Sequence, residues 1–239
     1  MPNWCDVDLI IAKENGDEEK FNKLRADIEK IYDEDSLFCK EVQEKILNGP
    51  CSFKANEWLG NIPLYFRGYL NVGDKIYLWD GESIKVEQAG KSNYRNEHQT
   101  TSCRGSIYFL DTDDSDIIQI RYSGAWDMQD IPEILSNEVA KDFRVEYVAE
   151  EPGYELYINT DVAGNFFCDK YIYYNGQYDS CYGENLSDIT KAVLADIETN
   201  YQGEVSITLE KLNQMDYKAL AEFVNTNLED SRLYEYTKE

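Results

Sequence analysis

VDLIIA at 7–12, Asn15-Gly16-Asp17, and FNKLRADIEKIY at 21–32 form the stretch whose reading decides the fold. The first segment is a short apolar run of strand length. Asn-Gly-Asp marks a turn, and Asp17 is the residue type that caps a helix N-terminus. Beyond it, Phe21, Leu24, Ile28 and Ile31 recur in steps of three, four and three. That spacing puts them on one helical face, with charged residues over the other. A strand, a turn and an amphipathic helix therefore open the chain.

Working outward, a second helix is expected over Leu37–Leu47, ended by Asn48-Gly49-Pro50. Within KIYLWDGESIKVEQ at 75–88, Asp80-Gly81 predicts a hairpin between Lys75–Trp79 and Ser83–Gln88. Gly90–Thr101 is polar and reads as a loop. Ser106–Leu110 and Ile117–Tyr122 flank an acidic turn carrying Asp111, Asp113, Asp114 and Asp116. Ile118, Ile120 and Tyr122 alternate with Gln119 and Arg121, the pattern of a half-buried strand.

A helix is expected over Ile131–Ala140, with Pro132 tolerated in its first turn. Strands follow over Phe143–Val148, Glu155–Thr160 and Phe166–Tyr174. The tail predicts a helix over Asn185–Tyr201 capped by Ser187, a strand over Val205–Leu209 and a helix over Asn213–Leu228. This order is α+β, with helices on one face of a mainly antiparallel sheet, and it suits a ferredoxin-like core. The expected division is a ferredoxin-like domain over 1–180, with a β-rich insertion at about 33–102, and a C-terminal helical extension or small lobe over 181–239.

The 239 residues include 19 Tyr, 9 Phe and 4 Trp, too many apolar rings for a disordered chain. Against 47 acidic residues stand 23 basic ones, a net charge of −24. The first hundred residues carry 19 acidic and 13 basic groups; 101–239 carry 28 and 10. Such a field repels phosphate backbones and disfavours direct nucleic-acid binding. Basic protein partners are favoured, including proteins that themselves handle nucleic acid. Alternatively, the acidity serves solubility alone. No apolar run reaches the length of a bilayer span, and MPNWCDVDLIIAKENGDEEK lacks a basic leader with an apolar stretch, so a soluble cytoplasmic protein without membrane contact is expected.

Few residues carry the marks of chemistry. The six cysteines never form C-x-x-C and read as free thiols, and the single histidine, His98, sits in a polar loop without a partner for zinc or for nucleophilic catalysis. Phosphate-cradling glycine loops are absent. The acidic turn lacks the glycine and closing glutamate of a calcium loop. No catalytic residue, metal or cofactor is expected. Residues 145–190 instead carry nine acids against Lys170 alone, interleaved with eight tyrosines, a composition suited to capturing a basic surface. The competing reading is that half of these tyrosines point inward from strands.

MPNWC at 1–5, WLGNI at 58–62, CRGSI at 103–107, YSGAW at 122–126 and AEEPGYELYINTDVAGNFF at 149–167 together resemble the YubB ferredoxin-like family, proteins of bacterial plasmids, phages and integrated mobile elements. The resemblance covers about residues 1–175, departs from the family pattern around 63–100 and leaves the tail past 185 uncovered. It implies a fold and a genetic context but no catalytic mechanism.

Within these motifs Trp4, Trp58 and Trp126 either form a structural cluster, with Gly60, Gly105 and Gly124 allowing close backbone approach, or line a pocket with Arg104 and Glu150 as its polar groups. Two functions are therefore expected in competition. One is an accessory protein of a mobile element that binds and inhibits a basic, nucleic-acid-handling defence factor of its host through Glu150, Glu151, Tyr154, Tyr157 and Asp161. The other is a small-molecule or nucleotide-binding module, or a weak enzyme, built around Trp58, Arg104 and Trp126.

Overall fold

The computed structural model describes residues 4–14, 17–48, 54–88, 104–125, 130–175 and 179–237, apart from the Tyr154 side chain. His98 and Trp126 lie outside these residues, as do Cys51 and Cys103. The chain folds as two compact units, Met1–Tyr154 and Glu155–Glu239, and has the mixed α+β character expected, with antiparallel pairing in its sheets.

In the first unit β1 (Trp4–Ala12) buries Cys5, Val7, Leu9 and Ile11 on one face and turns Trp4, Asp6 and Asp8 to the other. The strict two-residue period of a strand dictates that division. Helix α1 (Glu18–Tyr32) begins at Asp17, whose carboxylate accepts from the Glu19 and Lys20 amides, and buries Phe21, Leu24, Ile28 and Ile31 as expected. Two further helices follow, α2 (Leu37–Lys45) and α3 (Asn61–Arg67). Gly68, at φ 77°, ends α3. Strands β2 (Tyr69–Val72), β3 (Lys75–Trp79) and β4 (Ile84–Gln88) make a small antiparallel sheet in which Asp80 and Gly81 form the expected hairpin turn. The sequence reading had no place for α3 or β2.

The main strands resume with β5 (Gly105–Asp111) and β6 (Ile117–Ala125), then a short helix α4 (Asp130–Ile134) that widens into a π-type turn over Leu135–Val139, and β7 (Arg144–Glu151). Within this unit the strand order is β5-β6-β1-β7, with every neighbouring pair antiparallel. The acidic turn between β5 and β6 is a hairpin tip. Asp111 and Asp114 accept from backbone amides two residues on, and Asp116 is paired with Lys13 at 2.6 Å.

The second unit contains β8 (Leu156–Asn159), β9 (Tyr171–Tyr174), β10 (Ser180–Gly183), α5 (Leu186–Asn200), α6 (Leu209–Asn213), α7 (Tyr217–Asn227) and β11 (Arg232–Glu235). β9 lies between β10 and β11, antiparallel to both. Tyr173, Ile189, Val193, Ile197, Leu212, Leu220, Val224 and Leu233 form its core. The expected boundary at 180/181 falls inside β10, which is hydrogen-bonded to β9, whereas the compact unit begins at Glu155.

Three tail expectations are corrected. Val205–Leu209 is no strand: Thr208 caps α6, accepting from the Lys211 amide. The helix expected over Asn213–Leu228 starts later, as α7 over Tyr217–Asn227 with Asp216 as its cap, and Asn213 ends α6 instead. Asn185, not Ser187, occupies the cap position of α5.

Tyr65 and Tyr173 carry a pH dependence. Tyr65 donates to Asp27 at 3.1 Å, and burial, followed by the Asp27 charge, pushes its pKa up to about 12. Burial and then a hydrogen bond to Asp196 push Tyr173 upward as well. Unfolded phenols ionise near 10. Stability is therefore fully present below pH ~10 and lost as the pH rises toward the folded-state values. In an ultraviolet absorbance titration Tyr65 and Tyr173 are expected to stay protonated after solvent-exposed tyrosines have ionised, and Tyr65→Phe to reduce the alkaline loss of stability. A single transition of all phenols near pH 10 in the folded protein would refute this.

Candidate functional site

Segments separated by up to about 150 residues in sequence meet at one end of the β5-β6-β1-β7 sheet. Gly105 stands opposite Gly124, which stands opposite Cys5. At Gly105 an added Cβ would lie 2.3 Å from the Ser123 carbonyl oxygen and 2.7 Å from Gly124 Cα, so only glycine lets the strands close here. On the other edge of β5, Trp58 bridges to Ser106 and the Leu59 amide donates to the Gly105 carbonyl at 3.2 Å. The Ala125 amide donates to the Arg104 carbonyl at 2.7 Å. Trp58 is 4% exposed, and its ring closes over Gly60 so tightly that a Cβ there would sit 2.4 Å from it. Trp58 thus acts as internal support for the sheet end.

The next register position carries polar side chains. Ser106, Ser123, Asp6 and Glu150 are successive cross-strand partners on β5, β6, β1 and β7. Partners in register share a face, so two hydroxyls and two carboxylates form one row across the sheet face opposite the core. A β-bulge between Ile107 and Phe109 adds Tyr108 to β5. Tyr108 is 54% exposed and Trp4 50%, which leaves large rings beside the row. Burial first, then the Asp6 and Asp8 charges, push the Tyr108 phenol upward, and Arg121 opposes them. The ring therefore shares the field of these carboxylates.

One row further on, Asp8 is neutralised: Arg121 Nε donates to it at 2.9 Å and Gln119 Nε2 at 2.7 Å, while the guanidinium lies 4.9 Å from the Phe109 ring centre. Arg144 pairs likewise with Glu146 at 2.8 Å and Glu14 at 2.9 Å. Asp6 is exposed and has no cationic partner among the described residues. Asp6 thus stands at the motif-bearing end of this face as an exposed carboxylate, whereas Asp8 is paired with Arg121.

The structure disperses the other residues singled out in the sequence. Glu150 is half-buried in the row, while Glu151, pointing to the opposite face, is 2% exposed. Arg104 is exposed and contributes its backbone carbonyl to the sheet end. Trp126, and the side chain of Tyr154, lie outside the described residues.

Tyr157 and Asp161 belong to the second unit and are interior, a correction to their reading as surface contacts. Tyr157 is 3% exposed and stacks on Tyr234 with ring centres 4.3 Å apart. Asp161, also 3% exposed, accepts from the Gly164, Phe166 and Phe167 amides and so holds a loop together. Of the tyrosines between 145 and 190, Tyr173 is buried too, and Tyr182 is exposed.

Charge is also spread more widely than the division at residue 100 implied: 1–154 carry 31 acidic and 17 basic residues, 155–239 carry 16 and 6. Sequence reading missed Asp6, Ser106, Tyr108 and Ser123. The signal available for Asp6 was its place in the Trp4-x-Asp6-x-Asp8 alternation; the two serines needed the register.

Among the described residues no group of three or more His, Cys, Asp and Glu side chains is placed to hold a metal, and no helix is long and apolar enough to cross a membrane. The chain matches no family model, no curated protein and no solved structure.

Proposed function

We propose that the chain is a binding protein whose first unit is a ferredoxin-like domain that captures a cationic protein segment on its open sheet face. The chain order β1-α1-β5-β6-α4-β7, with the small-sheet insertion between α1 and β5, supports the fold. One observation carries the binding reading: exposed Asp6 lies in register with Glu150 and is flanked by the exposed rings of Trp4 and Tyr108. Carboxylates take charge-assisted hydrogen bonds from Arg and Lys, and aromatic faces attract the same cations. A bare sheet with exposed rings also suits stacked nucleobases, but that use needs basic residues around the rings. Here the carboxylates occupy that place.

The partner class with matching charge is a nucleic-acid-handling protein. Together with the resemblance to proteins of mobile elements, this favours an accessory protein that blocks a basic defence factor of the host by occupying its nucleic-acid-binding surface.

The test uses the full chain with a fluorescent nona-arginine peptide and, in parallel, a single-stranded oligonucleotide. The peptide is expected to bind with an affinity that falls as salt rises, and the oligonucleotide to be rejected. Asp6→Asn should weaken peptide binding about tenfold, the equivalent of one charged hydrogen bond. The charge-matched control Asp113→Asn, on the hairpin turn, should leave it unchanged. Equal binding by both variants would reduce the interaction to diffuse acidity and overturn the assignment, as would preference for the oligonucleotide.

A further inference from the structure

We propose that the second unit holds a separate site for a small aliphatic diamine, in a cleft of about 340 Å³ between α5 and the β9–β10 hairpin, with Asp196 at its base and Asp179 at its rim. Ala192 and Ala195 leave the space open on the α5 side, and Tyr173 and Cys181 line it from the strands. Asp196 is 8% exposed, although it lies on a helix whose outer faces offered water. Among the described residues its two oxygens are engaged by neutral groups: Oδ2 accepts from the Tyr173 hydroxyl, and Oδ1 accepts from Asn200 Nδ2 at 2.7 Å. No lysine or arginine lines the cleft among the described residues.

A buried carboxylate without a counter-charge is costly, and neutral hydrogen bonds offset that cost only in part. If Asp196 served merely to orient Tyr173 and Asn200, an asparagine would accept the same phenolic proton without the charge. What the carboxylate adds is attraction for a cation that fits the opening. Carboxylates at base and rim match a ligand with an ammonium group at each end. Alanine floor and aromatic wall match the methylenes between them. Burial, followed by the hydrogen bond to Asp196, pushes the Tyr173 phenol upward, so it serves the cleft as a hydrogen-bond donor.

Calorimetric titration of the full chain with putrescine tests this, with 1,4-butanediol as the neutral isostere and n-butylamine as the single-ended one. Putrescine is expected to bind saturably at one site, butanediol not at all, and butylamine more weakly than putrescine. Asp196→Asn should weaken putrescine binding about tenfold or more, because charge assistance roughly doubles a hydrogen bond. Glu198→Gln, exposed on the same helix outside the cleft, should not change it. Ala192→Lys places an ammonium one helical turn from Asp196 and supplies the missing cation internally. This variant should abolish putrescine binding and raise the melting temperature, and it decides the question if Asp196→Asn fails to fold. Undiminished binding by either variant, or binding that never saturates, would overturn the site. Asp6→Asn should leave putrescine binding intact, so this site stands or falls independently of the sheet face.

Discussion

Replacing Gly105 by alanine should lower the unfolding free energy of the first unit by about 3 kcal/mol, at the upper end of what overpacking costs. One methyl group has this effect because its neighbours are backbone. The added carbon would lie 2.3 Å from the Ser123 carbonyl oxygen and 2.7 Å from Gly124 Cα, neither of which can swing away as a side chain can. Retreat of β5 is blocked on its outer edge, where Leu59 is hydrogen-bonded to Gly105 itself and Trp58 bridges to Ser106. Relief therefore requires opening the pairing of β5 with β6, which also dislocates Ser106 and Ser123 from the row that contains Asp6. Gly73→Ala supplies the contrast. That glycine has φ 62° and nothing within 4 Å of the added carbon, so only the left-handed backbone penalty of about 1 kcal/mol applies. Urea unfolding followed by tryptophan fluorescence reads both. A Gly105→Ala protein within 1 kcal/mol of the parent would mean that the sheet end is looser than its hydrogen bonds indicate.

The same sheet end shows how far sequence carries. The apolar run Val7–Ala12 announces β1 because a run of strand length is a local property, and Phe21, Leu24, Ile28 and Ile31 announce α1 because their spacing is local too. Asp80-Gly81 placed the β3–β4 turn through the conformations those two residues permit. Where structure depends on a distant partner, local pattern fails. α3 has seven residues with Pro63 among them, too short for a period to emerge. β11, the four residues Arg232–Glu235, exists because β9 offers it an edge some 60 residues earlier in the chain. Val205–Leu209 alternates as a strand should, yet Thr208 caps a helix instead, and no strand pairs with the segment among the described residues.

The candidate site follows the same rule. Glu150 was legible as an acid in a motif, but its neighbours Asp6, Ser123 and Ser106 come from three other strands, and their alignment is a property of register. Composition also cannot distinguish an inward from an outward tyrosine. Tyr157 and Tyr182 both contribute to the aromatic richness of 145–190, yet one is 3% exposed and the other 46%. The recognition surface proposed above accordingly rests on the sheet face where Asp6, Trp4 and Tyr108 are exposed together.

Asp161 provides the second large effect and separates a structural carboxylate from a recognition carboxylate. Asp161→Ala is expected to destabilise the second unit by about 2–3 kcal/mol. Of the three amide donors to its carboxylate, Phe166 and Phe167 lose their acceptor, at about 1–3 kcal/mol each less what admitted water recovers, while Gly164 keeps the Asp161 backbone carbonyl at 3.0 Å. The donors are Gly164 at 3.1 Å, Phe166 at 2.5 Å and Phe167 at 3.0 Å. Their closure of the loop is reinforced by Asn159, whose side chain accepts from the Asp161 amide at 2.9 Å and donates to the Phe167 and Asp169 carbonyls at 3.0 Å each.

Asp161→Asn retains one acceptor oxygen and should recover about half of the loss. Hydrogen exchange at the amides of Phe166 and Phe167 should accelerate in Asp161→Ala before the unit as a whole unfolds, because their protection depends on the deleted side chain. Nona-arginine binding at temperatures where the variant remains folded should match the parent. An Asp161→Ala protein of unchanged stability that had lost peptide binding would restore Asp161 as a recognition residue and refute the role that its three hydrogen bonds assign.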